Sequence, residues 1–187
     1  GHTLLARGYG VQRLGEPTPV DVQTRFGIAS NTKVFTATAL GLLVEQGKLA
    51  WDAAVQDHMP SFQLADPYVS RELTARDLLV HRSGLALGAG DLLWWPGSTL
   101  DRKQIVARLR HVPLATSFRS TYAYDNVLYL AAGELIETLS GMRWEQFVQQ
   151  RILQPVGMTH STASYRDAAA SGNVSGTHAE VAGADLV

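Results

Sequence analysis

A serine and a lysine spaced three residues apart are the side chains in this sequence best suited to covalent chemistry. Ser30 and Lys33 lie where an extended segment, residues 24–29, meets a long apolar helical pattern. A serine hydroxyl is a weak nucleophile at neutral pH and needs a neighbouring base. A lysine three residues further along a helix lies on the same face, with Cβ atoms about 5–6 Å apart. Since the first helical turn also favours developing negative charge, this segment predicts a nucleophile, its base and part of an oxyanion site.

The same spacing also fits a structural interpretation, in which Ser30 caps the helix and Lys33 is a solvated side chain. The chain has 12 serines and three lysines, so a Ser-x-x-Lys pattern alone is weakly specific. A lysine near a helix N-terminus is disfavoured by the helix dipole, which counts against this alternative.

Tyr124 and Asn126 form a second candidate group, directly before the most apolar helical pattern, residues 126–139. In extended backbone, residues two apart point to the same side. A phenol whose pKa is lowered by a nearby ammonium can act as acid or base, and an amide side chain suits a substrate amide. The alternative is a packing tyrosine followed by an asparagine helix cap. Taken alone, these residues favour that alternative, although Asn126 can serve both purposes.

Helical patterns that must position these residues fill the middle of the chain. Apolar spacing, caps and stop signals predict helices over residues 31–46, 51–58, 74–80, 101–110, 126–139 and 143–153. We predict a single domain over residues 1–187: strands leading to the nucleophile in 1–30, a mainly helical region in 31–160 and an irregular tail in 161–187. An opening hairpin with so few strand partners is marginal in water, so we expect the domain to be incomplete, with sheet strands missing.

Composition limits the classes of function. The chain has 187 residues, enough for one domain with a substantial core, and a formal net charge of −1. Without a basic block we expect no nucleic-acid partner, and without a long apolar run we expect no transmembrane segment. Cysteine is absent and the six histidines lack metal-ligand spacing, so we expect no metal site and no cofactor.

Four blocks of the sequence resemble the serine β-lactamase-related family. They are residues 26–33, 78–85, 124–126 and 155–158, in the family's order and at its approximate spacing. The family includes class C β-lactamases, penicillin-binding DD-peptidases and related esterases. The resemblance covers most of the chain, and the four blocks together are specific where each short motif is not.

The resemblance implies an α/β (α+β) fold of the β-lactamase/transpeptidase type, an antiparallel sheet flanked by helices, of which this chain holds mostly the helical part. It implies acylation of Ser30, followed by hydrolysis of the acyl-enzyme. Lys33 would assist proton removal and hold Tyr124 by charge. Tyr124 would relay protons and Asn126 would bind the substrate. One oxyanion donor would be the Ser30 backbone N–H. The family also suggests an extracytoplasmic bacterial location, periplasmic or secreted.

One part of the family's pattern is missing here. Its third motif, Lys/His-Thr/Ser-Gly or similar on a later strand, does not occur after Asn126. That strand would also carry the second oxyanion donor, whose loss typically costs about 2.7–4 kcal/mol of barrier. We therefore expect this chain alone to be nearly inactive, the full-length parent to be the enzyme, and the chain to associate with the missing part of its own fold.

The leading hypothesis is a serine hydrolase that cleaves small-molecule or peptide amides and esters, an esterase or peptidase rather than a dedicated β-lactamase. The alternatives are a non-catalytic penicillin-binding-protein-like module that binds peptides or a partner protein, and a helical scaffold with accidental motifs. Among other residues, we interpret His81 as structural and Arg119 as part of a surface salt bridge. We expect the side chains behind the nucleophile to form core: Val34, Leu40, Leu43 and Val44.

Overall fold

The computed structural model describes residues 2–181 and 184–186 and divides into two compact units. One unit, the helical unit, comprises Lys33–Val148. The other, the terminal unit, combines Gly1–Thr32 with Gln149–Val187. The predicted single-domain organisation over residues 1–187 stays a prediction.

Packed α-helices form the core of the helical unit. Its helices are α1 (Thr32–Glu45, whose first residue belongs to the terminal unit), α2 (Val55–His58), α3 (Pro67–Glu72), α4 (Arg102–Arg108), α5 (Val127–Ser140) and α6 (Trp144–Val148). The apolar positions of α5 recur at helical spacing, so the helix buries one continuous side. It ends where Gly141 adopts a left-handed conformation, φ 68°. The buried side of α5 comprises Val127, Leu128, Ala131, Ala132, Leu135 and Ile136.

Helix α4 begins at a reciprocal cap and is tied to its neighbours by charge. The Asp101 carboxylate accepts from the Gln104 backbone N–H, and the Gln104 side chain accepts from the Asp101 N–H, so two orphan donors are satisfied. Arg102 then pairs with Glu137 of α5 and with Glu145 of α6. These contacts fix the packing of α4, α5 and α6 around the core.

Two local predictions in the helical unit are wrong. Residues 75–80 form turns rather than a helix, and Thr74 forms an isolated bridge with Ala54. The Ala75 and Arg76 backbone N–H groups donate to the carbonyls of Ala53 and Trp51 at 3.1 and 2.9 Å, so this segment pairs with the preceding one. In α1, Leu40 and Leu43 are fully buried as expected, whereas Val34 is 64% exposed.

The terminal unit has little regular structure. Residues 2–30, predicted to form strands, instead make isolated bridges, Val11 to Pro19 and Arg25 to Val174. The tail, predicted to be irregular, contains helix α7 (Tyr165–Ala170), capped by the Ser164 side chain. It ends in a hairpin of β1 (Ala179–Val181) and β2 (Ala184–Leu186), which pair antiparallel with Glu180 opposite Asp185. Between helix α6 and this tail lies a π-helical turn, Gln149–Leu153.

Across residues 2–181 and 184–186, no helix combines the length and apolar character that a bilayer crossing requires. The same residues contain no group of three or more potential metal-binding side chains.

Candidate active site

In the helical unit, Lys33 contacts two of the other predicted site residues, Asn126 and Tyr124. The Lys33 ammonium donates to Asn126 Oδ1 at 2.7 Å, although 93 positions separate the two residues. The same ammonium lies 4.6 Å from the centroid of the Tyr124 ring and 5.3 Å from that of Tyr129. A cation within about 6 Å of an aromatic face is attracted to the ring. Lys33 is therefore held by an amide oxygen and by two tyrosine rings.

Asn126 is not a helix cap of the usual kind. It precedes α5, yet its side chain makes no capping hydrogen bond. The neighbouring Asp125 does that work, since its Oδ1 accepts from the Leu128 backbone N–H at 3.3 Å. The Asn126 amide is instead directed at Lys33 through its oxygen and at Asp91 through its nitrogen.

Asp91, which the sequence did not single out, contacts the candidate site residue Asn126. Its Oδ2 accepts from Asn126 Nδ2 at 2.9 Å, and it begins a 3₁₀ turn, Asp91–Leu93. The preceding Gly90 has φ 80°, and a Cβ there would lie 3.0 Å from Cγ1 of Val127. Glycine at 90 therefore lets the loop approach the start of α5 closely enough for Asp91 to reach Asn126. The only sequence signal was the Gly-x-Gly-Asp pattern of residues 88–91.

His81 packs against the two tyrosine rings that contact Lys33. Its ring lies 4.5 Å from the Tyr124 ring and 5.5 Å from the Tyr129 ring, centroid to centroid. His81 Nδ1 accepts from the backbone N–H of Asp125 at 3.2 Å. Burial, together with the positive charge of Lys33, lowers the pKa of His81. A neutral imidazole that accepts a backbone hydrogen bond fits the structural interpretation of His81.

Asp125 is the most perturbed carboxyl group near the site. Its side chain is fully buried, and this burial raises its pKa to about 6, with a further increase from the negative charge of Asp91. The Leu128 N–H and Lys33 act in the opposite direction. Within the described residues, Asp125 Oδ2 has no hydrogen-bond partner and lies 3.8 Å from His81 Nδ1.

Ser30 belongs to the terminal unit and lies in a sharp turn. The sequence predicted that it would start the helix, but it occupies a 3₁₀ turn, Ala29–Asn31, and α1 begins at Thr32. The Thr32 backbone N–H donates to the carbonyls of Ala29 and Ser30. Ala29 has φ 44°, a left-handed conformation that L-residues with side chains adopt at a cost. An exposed serine therefore follows directly on a strained residue, while its role as nucleophile stays a prediction.

Comparison with known proteins identifies the wider group. The sequence matches the family model described as Beta-lactamase over residues 1–186. Unguisins hydrolase ungD of Aspergillus violaceofuscus is 32% identical over 171 residues, which cover 87% of this chain and 30% of that protein.

Solved structures resemble this chain as well. The octameric penicillin-binding protein homologue from Pyrococcus abyssi matches with a TM-score of 0.79 at 26% identity, over 94% of this chain and 41% of that one. The D-amino acid amidase from Ochrobactrum anthropi SV3 matches with a TM-score of 0.73 at 26% identity, over 92% of this chain and 47% of that one. The predicted β-lactamase/transpeptidase-like fold is confirmed. The chain spans less than half the length of each of these relatives.

Proposed function

Because this chain belongs to the Beta-lactamase family, we propose that it carries the acylating machinery of a serine hydrolase that cleaves amide or ester bonds. Hydrolases are named among its relatives, including a hydrolase of unguisins and a D-amino acid amidase. The proposal assigns Ser30 as the nucleophile, Lys33 and Tyr124 as the proton-transfer pair, and Asn126 as the substrate-binding amide.

The contact of Lys33 with Asn126 carries this proposal. An ammonium that donates at 2.7 Å to an amide 93 residues away, and lies over the Tyr124 ring, joins two motifs that a helical scaffold has no reason to join. Ser30 precedes Lys33 by three residues, so the nucleophile motif and the Tyr-x-Asn motif share Lys33 as their link.

In the proposed reaction, the Ser30 Oγ attacks the substrate carbonyl carbon while its proton passes to the Lys33–Tyr124 pair, which enters this step with one of its two groups, the amine or the phenol, deprotonated. The Ser30 backbone N–H stabilises the oxyanion. The same pair returns the proton to the departing amine or alcohol, and a water molecule then hydrolyses the acyl-enzyme. Asn126 Nδ2 carries two protons, of which Asp91 accepts one, and the other donates to the substrate carbonyl.

The proposal includes low activity for this chain by itself. No Lys/His-Thr/Ser-Gly sequence follows Asn126 in this chain, and we propose that the second oxyanion donor is supplied by a longer parent protein. The loss of one such donor typically lowers kcat by about 10²–10³. The strands that supply it are also the expected partner of this chain.

Covalent labelling of the longer parent protein tests the proposal. A fluorescent phosphonate and a fluorescent penicillin are added, and peptide mass mapping locates the adduct, which we expect on Ser30. Ser30→Ala should abolish labelling. Ser61→Ala, which removes another exposed hydroxyl, is the matched control and should label normally. Absence of an adduct with either probe on a folded parent protein would favour the non-catalytic, peptide-binding alternative.

A further inference from the structure

The Asn126 side chain is held between opposite charges. Its oxygen accepts from the Lys33 ammonium at 2.7 Å, and its nitrogen donates to the Asp91 carboxylate at 2.9 Å. An ammonium can only donate and a carboxylate can only accept. Rotation of the amide by 180° would place donors against the ammonium and an acceptor against the carboxylate. Lys33 and Asp91 therefore favour the same single orientation of the amide.

Asp91 is fixed firmly enough to set this orientation. The Gly88 N–H donates to the Tyr124 carbonyl at 3.1 Å, which ties the loop of Asp91 to the segment that carries Asn126. The backbone N–H groups of Trp94 and Trp95 both donate to the Asp91 carbonyl, at 3.0 and 2.9 Å. Within the described residues, Asp91 Oδ1 is buried without a hydrogen-bond partner. The interaction of its carboxylate with Asn126 is thus shielded from competing water.

We propose that Asp91 is a positioning residue that locks the Asn126 amide with its oxygen towards Lys33 and one N–H left for substrate. The lock is a property of this chain, and its effect on catalysis rests on the proposed hydrolase function. Lys33 alone would favour the same orientation, but a lysine that shuttles protons loses its charge during turnover. Asp91 keeps the amide in place at that moment.

The first test measures the amide directly in the chain of 187 residues. Solvent exchange of the Asn126 side-chain NH₂ protons is followed by NMR in the wild type, Asp91→Asn and Asp91→Ala. We expect exchange to accelerate by about tenfold or more in Asp91→Ala, because a charge-assisted hydrogen bond is lost. Asp91→Asn, which keeps one acceptor oxygen, should give an intermediate rate and serves if the alanine variant does not fold.

Asp57→Asn, the same charge change at an exposed site, should match the wild type. Unchanged exchange in both folded Asp91 variants would overturn the proposal.

The second test measures the consequence in the longer parent protein. We expect Asp91→Asn to lower kcat by about tenfold with little change in KM, and Asp91→Glu to recover part of the loss. An increase in KM alone would contradict a positioning role. If the wild-type parent forms no acyl-enzyme, the hydrolase proposal fails, whereas the amide-exchange result still decides whether Asp91 orients Asn126.

Discussion

Asp77 and Asp125 of the helical unit are both buried, yet their surroundings shift their pKa values in opposite directions. Asp77 accepts from the N–H and hydroxyl of Thr74 and from two guanidinium nitrogens of Arg119, at 3.0 and 2.6 Å. Burial alone would raise the pKa of Asp77, but these hydrogen bonds outweigh it, so the pKa is lowered. Asp125, beside the candidate site, has one weak bond to Leu128 and a pKa raised to about 6.

We infer from this contrast that Asp77 is a structural carboxylate, whereas Asp125 belongs to the surroundings of the candidate site. A protein that satisfies Asp77 so completely could have satisfied Asp125 as well, and perturbed titratable groups concentrate at functional sites. Arg119 forms a salt bridge as predicted, but with the buried carboxylate of Asp77 rather than at the surface. We therefore expect changes around Asp77 to affect stability alone, and changes around Lys33 to affect chemistry.

Lys33→Ala should give the largest effect on the chemical side of this comparison. In the longer parent protein we expect the rate of phosphonate labelling at Ser30 to fall by about 10²–10⁴-fold, the usual range for losing a proton-transfer group. Lys48→Ala removes an exposed lysine and should label at the wild-type rate. Equal labelling rates for the two variants would place Lys33 outside the reaction.

Asp77→Ala should give the largest effect on stability. The substitution removes the acceptor of two Thr74 bonds and leaves Arg119 without its carboxylate, so we expect a loss of about 3 kcal/mol in the free energy of unfolding. Urea denaturation of the 187-residue chain measures it. Asp77→Asn, with a smaller expected loss, provides the value if the alanine variant is unfolded. If Asp77→Ala lowered the free energy of unfolding by less than the substitution of an exposed aspartate does, Asp77 would no longer be distinguished from Asp125 as a structural carboxylate.

Asp125→Asn should instead stabilise the chain, and only above a certain pH. The folded-state pKa of Asp125, near 6, exceeds its unfolded value of 3.8, so the contribution of Asp125 to stability is complete below about pH 4 and is lost as pH rises to about 6. That shift corresponds to about 3 kcal/mol. We expect the asparagine variant to gain up to about this amount at pH 8 and nothing at pH 4, by urea denaturation. Asp57→Asn is the charge-matched control. A gain in stability that does not depend on pH would refute the raised pKa of Asp125.

Asp52→Ala should have the smallest effect. Arg76 pairs with Asp52 at 2.9 Å, a geometry as good as that of the Asp77 pair, but both side chains are more than half exposed. Because exposed ion pairs contribute little, we expect a Tm within about 1 °C of the wild type in thermal denaturation. A loss comparable to that of Asp77→Ala would mean that burial is not what distinguishes these carboxylates.

The sequence predicts a site residue only where the signal lies within a few neighbouring residues. Ser30, Lys33, Tyr124 and Asn126 were identifiable as candidates because each pair falls within a short motif, and their catalytic roles stay predictions. Asp91 was not, because its bond to Asn126 joins residues 35 positions apart and depends on how the loop folds back on α5. A local signal also gave a wrong prediction. The Thr74-x-x-Asp77 pattern is typical of a helix start, but here Asp77 lies in a turn and accepts from both Thr74 and Arg119.

The remaining differences concern short elements. Helix α3 was not predicted, although Asp66 caps it and Pro67 occupies its first turn, because six residues give too little periodicity to detect. The strands expected within residues 2–30 are reduced to single bridges, since a strand forms only where a partner runs alongside it.

Because Gly90 lies close to Val127, a substitution at position 90 would change the shape of the candidate site without changing its charge. One methyl group at position 90 would act as a wedge between the loop and the first turn of α5, and its left-handed φ of 80° would resist the change as well. Such a wedge would separate Asp91 from Asn126 without altering any ionisable group. Shape and charge, usually changed together by mutation, could here be varied one at a time.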